Sequence, residues 1–268
     1  GMTISFDLIP EGWRVPGVLV EINKTGVIRG LTEMPSRVLF LGQKLTAGLA
    51  TAAVPVRVID NVEAETQFGV GSMLARMFAA YKRIDRETET WAIPMADLGA
   101  GVAASGTIVF SGTVSAPGTL NLYIAGRRVR VAVAAAQSVA SIATAVGAAI
   151  TADASLPVTA SVDTATVTLT ARHKGENGNA IDVRVNYWPG ELTPAGLVAT
   201  ITPLASGAGN PDITAALTAM ADDWYTAIVM PYTDSANMVL LEAALTDRFG
   251  PLVAKDAVAF AAFRGTYA

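Results

Sequence analysis

The chain lacks cysteine and holds one histidine in 268 residues. Without cysteine there are no disulfides, thiol nucleophiles or thiolate metal sites. With a single imidazole, a zinc site built from several histidines is excluded. Charge is scarce as well. Charged residues make up 16% of the chain, with 19 Lys and Arg against 23 Asp and Glu, for a net charge of −4. That balance argues against a nucleic-acid surface, which needs clustered cations to displace phosphate counterions. No apolar run reaches the roughly 18 residues that a membrane span requires. The richest candidate, 129–150, is broken by Arg130, Gln137, Ser138, Ser141, Thr144 and Gly147. The opening Gly-Met-Thr-Ile-Ser has neither the basic start nor the apolar stretch of a secretory leader, so synthesis in the cytosol is expected.

What the chain has in abundance is apolar surface: 51% hydrophobic residues and a mean hydropathy of +0.43. A chain this apolar and this poor in charge is expected to cover part of its surface with partner subunits.

Residues 1–17 combine two prolines and two internal glycines with Phe6, Leu8, Ile9 and Trp13, and show no helical period. They read as an extended arm. At about 25 cal/mol per Å² of apolar surface, docking four such side chains is worth several kcal/mol. The arm is therefore expected to pack either on its own domain or on a neighbouring subunit. Residues 17–22, with Val18 and Val20, read as a strand, followed by a turn at 23–26. Residues 37–42 and 54–59 read as further strands, the second confined to an edge or a strand start by Pro55. Helical spacing runs from Glu63 to Ile84. Thr90–Met95 and Trp224–Met230 share an aromatic start, an apolar body and a proline exit, which predicts two buried strands side by side in one sheet. The order strand, helix, strand over 54–95 favours a parallel crossover.

Small residues dominate 96–106, as in a linker. Alternating strands follow at 106–114 and 119–124, with Pro117-Gly118 turning between them, and then a tight hairpin at Ala125-Gly126 into 127–133. Ser138 is placed to cap a helix to Ala152, and strands are expected at 158–162, 166–171 and 181–186. After a strand at 197–201, a helix is expected from Pro211 to Ala221, another from Ser235 to Phe249 with Met238, Leu241, Leu245 and Phe249 on its apolar stripe, and a last strand at 258–263. The fold class is α/β (α+β): a mixed-sheet body of 18–100 plus 190–268, interrupted by an antiparallel-strand module with one helix at 101–189.

Titratable groups are few and scattered. His173, in Ala171-Arg-His-Lys-Gly-Glu-Asn-Gly178, is expected in a solvated loop. Asp222 and Asp223 read as a solvated turn, and Asp234 as a helix cap. Gly99-Ala-Gly101 reads as linker. The turn 206–212 precedes a helix but lacks the Lys-Ser/Thr of a phosphate loop. No catalytic, cofactor or metal residue is assigned. Three functions remain open: an assembly subunit, an α/β enzyme or nucleotide binder using 206–212, and a surface- or glycan-binding module at 106–186 carrying Phe110, Tyr123, Tyr187 and Trp188.

Val15-Pro-Gly-Val-Leu-Val-Glu-Ile22 resembles the opening of contractile bacteriophage tail sheath proteins. The stretches 203–212 and 224–234, taken with the inserted module, resemble the sheath subunits of Mu-like phages. The likeness covers essentially the whole chain and stops near Ala268, which implies a further C-terminal part in the complete subunit. The resemblance implies a non-catalytic structural subunit that needs no cofactor. It would be made in the bacterial host cytoplasm and reside in the virion tail. Its partners would be copies of itself, in stacked rings, and a tail tube protein, with no nucleic acid or membrane. The expected subunit-interface residues are Phe6, Leu8, Ile9, Trp13, Val18 and Val20 of the arm.

Overall fold

The computed structural model describes residues 36–263. The arm, with Phe6, Leu8, Ile9, Trp13, Val18 and Val20, lies outside the described residues, as do the expected strand at 17–22 and the turn after it.

The first sheet is organised around β1, Arg37–Gln43. Its apolar run Val-Leu-Phe-Leu is buried on both faces, as an interior parallel strand requires. β1 pairs in parallel with β3 (Glu89–Met95) on one side and β11 (Ala227–Val229) on the other. Beyond β11 lies β12 (Val258–Phe260), also parallel. At the opposite edge β2 (Val56–Val58) runs antiparallel to β3, with Pro55 just outside it. The sheet is thus mixed, but two expectations are corrected. The strands at 90–95 and 227–229 are not adjacent, because β1 bonds to both: Leu39 faces Trp91 on one side and Ile228 on the other. The parallel crossover leads from β1 to β3, whereas β2 and β3 are antiparallel neighbours.

The period of two along β1 divides the core. Val38 and Phe40 join Val58, Phe68, Leu74 and Phe78 on one face. Leu39 and Leu41 join Ile93, Ile228, Met230 and Leu241 on the other. The first face is covered by two helices rather than the single expected one: α1 (Asn61–Phe68) and α2 (Met73–Lys82). Between them Gly69 and Gly71 have φ of 89° and 79°, a backbone region that side chains with a Cβ avoid. Each helix restarts from its own cap, Asp60 accepting from the Glu63 N–H and Ser72 from the Ala75 N–H. The second face carries α4 (Thr214–Ala219) and α5 (Ser235–Phe249). α4 is shorter than the expected 211–221. The Asp212 carboxylate accepts from the Thr214 N–H, which sets the helix start after Pro211. α5 has its expected bounds and its Asp234 cap. Of its apolar stripe, however, Leu241 is buried while Phe249 is 75% exposed.

The remaining strands make two antiparallel sheets around a second core. One has the order β10 (Leu197–Ala205), β4 (Ala103–Gly112), β8 (Thr166–Lys174), β7 (Val158–Asp163); the other β6 (Arg127–Val133), β5 (Gly118–Ile124), β9 (Val183–Val185). Helix α3 (Val139–Ala152), capped by Ser138, buries Ile142, Val146 and Ile150 against Ile108, Leu122, Val131 and Leu169. The hairpin at Ala125-Gly126 forms as expected, with φ of 49° and 80° in the two turn residues, the hand that suits a twisted two-strand ribbon. Two differences stand out. β4 and β5 are not hairpin partners, since 113–117 carries the chain from one sheet to the other. β10 pairs with β4, Ile201 opposite Ile108, so 197–205 belongs to this sheet although a boundary at 189/190 would assign it to the first.

Candidate functional site

The densest polar constellation lies where the ends of β1, β3 and β8 approach the start of α2. Asp97, just past β3, is its hub. Its Oδ1 accepts from Gln43 Nε2 at 2.9 Å and from His173 Nδ1 at 2.8 Å, and its Oδ2 accepts from the Lys174 N–H at 3.0 Å. Gln43, itself buried, also donates to the Lys174 carbonyl at 2.8 Å. The Met73 N–H, in the first turn of α2, donates to His173 Nε2 at 3.1 Å. Since Nε2 accepts, the ring proton sits on Nδ1 and points at the carboxylate. Burial works to raise the Asp97 pKa, but the His173, Lys174 and Gln43 donors outweigh it and hold the carboxyl below its ordinary value.

His173 is therefore not a solvated loop residue. It lies within β8, and its side chain is 11% exposed. The buried row Val167, Leu169, Ala171 continues by twos to His173, so strand alternation carried two residues further would have placed it inward. What the constellation does is structural: it stitches the end of the first sheet to the end of β8 through one shared carboxylate. Among the described residues no group of three or more His, Asp and Glu is placed to hold a metal ion.

The glycine turn at 206–212 uses its donors within the protein. Gly207 exchanges two hydrogen bonds with the Asn179 amide, at 2.8 and 2.9 Å. Ala208 and Val102 bond each other's backbone at 2.8 and 3.1 Å. A Cβ on Gly207 would lie 2.5 Å from the Gly175 carbonyl, so this glycine serves close chain packing rather than the approach of a phosphate. The N–H of Ile213 is taken by Asn237 Oδ1, and that of Thr214 by Asp212. With these donors occupied, the turn has little left for an anion. The acidic pair is where the sequence reading put it. Asp222 is fully exposed beside Lys255 at 3.4 Å, and the Asp223 carbonyl accepts from Arg248.

Two surfaces remain. On the second core's outer side Tyr187 and Trp188 are exposed and meet edge to face at 5.2 Å, with the Arg184 guanidinium 5.7 Å from the Tyr187 ring. Phe110 and Tyr123, the other two aromatics considered for surface binding, are buried. On the first sheet, apolar side chains gather in the segment from α5 to β12. Val239, Phe249, Leu252, Val258, Phe260 and Phe263 are all exposed, Leu252 completely. Among the described residues, β12 is the edge strand of its sheet on this side. No described helix is long and apolar enough to cross a membrane.

No family model matches the chain. Over 267 residues, all of its length, it is 40% identical to the Mu-like prophage FluMu tail sheath protein of Haemophilus influenzae, and it spans 55% of that relative. The chain thus spans about half the length of the curated relative it matches. Two solved sheath tail proteins show weaker likeness. One, from Listeria innocua, is 11% identical with a TM-score of 0.36, over 85% of this chain and 48% of that one. The other, from Desulfitobacterium hafniense, is 14% identical with a TM-score of 0.33, over 87% and 52%. The family reading rests on the Haemophilus relative.

Proposed function

We propose that this chain, a relative of the Mu-like phage tail sheath proteins along its whole length, is part of a structural sheath subunit that joins copies of itself around a tail tube and carries no catalysis. The observation that carries this reading is the 40% identity over 267 residues, which spans the whole chain. The uncovered apolar run from α5 to β12 supports it, because so much exposed hydrocarbon is costly unless a protein surface covers it. Heterologous contacts of this kind generate rings and helical stacks, the assemblies a sheath requires. The subunit is made in the bacterial host cytoplasm and ends in the virion tail.

Residues 1–17 act as an arm that adds to a neighbouring subunit through Phe6, Leu8, Ile9 and Trp13, continued by Val18 and Val20. The body comprises 18–100 and the segment from about 206 onward. The inserted module comprises 101 to about 205. Deleting residues 1–17 from the full-length subunit abolishes tubular assemblies in negative-stain electron microscopy while the melting transition of the second core survives. Sheaths of normal length from the deletion would refute the arm's role.

A further inference from the structure

A cavity of about 350 Å³ opens between α2, the end of β8 and the 3-10 turn Glu176–Ala180. Its wall is mostly hydrocarbon, from Met73, Met77, Ala80, Pro157, Ile181 and Pro231. Two hydrogen-bond donors in that wall are unmatched. Asn177 Nδ2 is buried and has no partner. Arg76 is half-buried, and among the described residues no carboxylate pairs with its guanidinium. Burial and the like charge of Arg127 both push its pKa down.

The acids nearby are already committed. Asp153 pairs with Arg127 at 3.1 Å, and Asp97 is held by His173, Gln43 and the Lys174 N–H. Lys174 also lines the cavity, its ammonium turned to the Gly99 carbonyl at 2.7 Å. Among the described residues the site therefore has surplus positive charge and donors that cannot accept. A guanidinium left half-desolvated with no counter-ion costs stability, and a protein that keeps one gains by pairing it with a ligand. The complementary group is a planar anion with two acceptor oxygens, and the apolar wall calls for a hydrocarbon stem behind it.

We propose that this cavity binds a carboxylate carried on an apolar stem, held by Arg76 and Asn177. The same chemistry is supplied by a free short-chain fatty acid or by a glutamate side chain of a second copy of the chain.

The test titrates the whole chain with sodium hexanoate, with hexanol as the uncharged control, and follows backbone amide shifts. Hexanoate moves the amides of α2 and of 173–181, and hexanol binds far more weakly. Arg76→Met and Asn177→Leu each weaken hexanoate binding, the former by about tenfold or more, the loss expected of a bidentate charge-assisted contact. Arg76→Met melts no lower than the parent, because it removes an unpaired cation rather than a support. Sedimentation distinguishes the sources. If hexanoate dissociates oligomers of the parent chain and Arg76→Met is monomeric, a second copy supplies the carboxylate. If sedimentation is unchanged while hexanoate binds, the ligand is the free acid. Equal affinity for hexanol, undiminished hexanoate binding by Arg76→Met, no amide shift at all, or a melting point for Arg76→Met well below the parent would each overturn the proposal.

Discussion

Replacing Asp97 tests whether one carboxylate joins the first sheet to β8. Asp97→Ala removes the acceptor for three donors: Gln43 Nε2, His173 Nδ1 and the Lys174 N–H. A hydrogen bond to a charged acceptor is worth about 1.5–3 kcal/mol when buried, and an orphaned buried donor costs about 1–3 kcal/mol. Two features reduce the sum. The Asp97 side chain is 26% exposed, and Gln43 keeps its bond to the Lys174 carbonyl. The expected net loss is about 2–3 kcal/mol, which for a chain of this size is a fall in Tm of roughly 4–12 °C. Asp97→Asn keeps one acceptor oxygen but turns an amide towards a donor, and loses about 1–2 kcal/mol.

The pH dependence follows from the direction of the shift. The folded carboxyl titrates below its unfolded value, so its contribution is complete above the unfolded pKa of about 3.9 and fades as pH falls through the lower folded value. The stability gap between the parent and Asp97→Asn is therefore constant near neutral pH and narrows below about pH 4. Urea unfolding at several pH values measures it. A loss under about 0.5 kcal/mol for Asp97→Ala at pH 7, or a gap that widens in acid, would refute the view that this carboxylate holds the junction.

Phe78 is fully buried, with its ring 4.6 Å from that of Phe40 and 5.9 Å from that of Phe68, so Phe78→Ala costs about 3–5 kcal/mol in chemical denaturation. Asn237, on α5 and 3% exposed, accepts from the Ile213 N–H and donates to the Pro211 carbonyl and to Asp234. Asn237→Leu strands these groups and costs about 2–3 kcal/mol despite adding apolar volume; a neutral result would mean that the link between α4 and α5 is unimportant. The Tyr232 hydroxyl is buried without a partner, and burial, with Asp97 and Asp234 nearby, raises its pKa well above the usual value. Tyr232→Phe is accordingly neutral or stabilising by up to about 1 kcal/mol, and a loss larger than that would reveal a hydrogen bond to the hydroxyl.

The elements that were legible in the sequence are those specified locally. α3 and α5 carry both a stripe and a cap, Ser138 and Asp234, and their bounds follow from these. The β5–β6 hairpin is set by two turn residues. The break between α1 and α2 had a visible signal in Gly69-Val-Gly-Ser72, overridden by the apolar period on either side. What local pattern could not give is pairing over long separations. β10 reads as a strand, but nothing within it says that its partner is β4, some 90 residues earlier. Likewise Trp224–Met230 and Thr90–Met95 look alike because both supply interior strands of one sheet, one on each side of β1. His173 was misread through composition: Arg, Lys and Gly around it suggest a loop, whereas register is what decides where a side chain points. Asn237 was missed because a polar residue on a helix reads as exposed unless its backbone partners are known.

The position of β1 has a consequence for the growing polypeptide. Its neighbour β3 ends at Met95, but its other neighbour, β11, begins at Ala227, about 130 residues later. At roughly 5–20 residues per second a ribosome takes about 7–25 s to deliver it. Throughout that interval one edge of this buried apolar strand stands open, and all strands of the two antiparallel sheets, 103–205, are synthesised before β11 and can pair first. The nascent chain thus carries a finished bead beside an unfinished, adhesive ribbon. In a cell making many copies at once, that waiting time is when chaperone capture or premature sticking between nascent chains is decided.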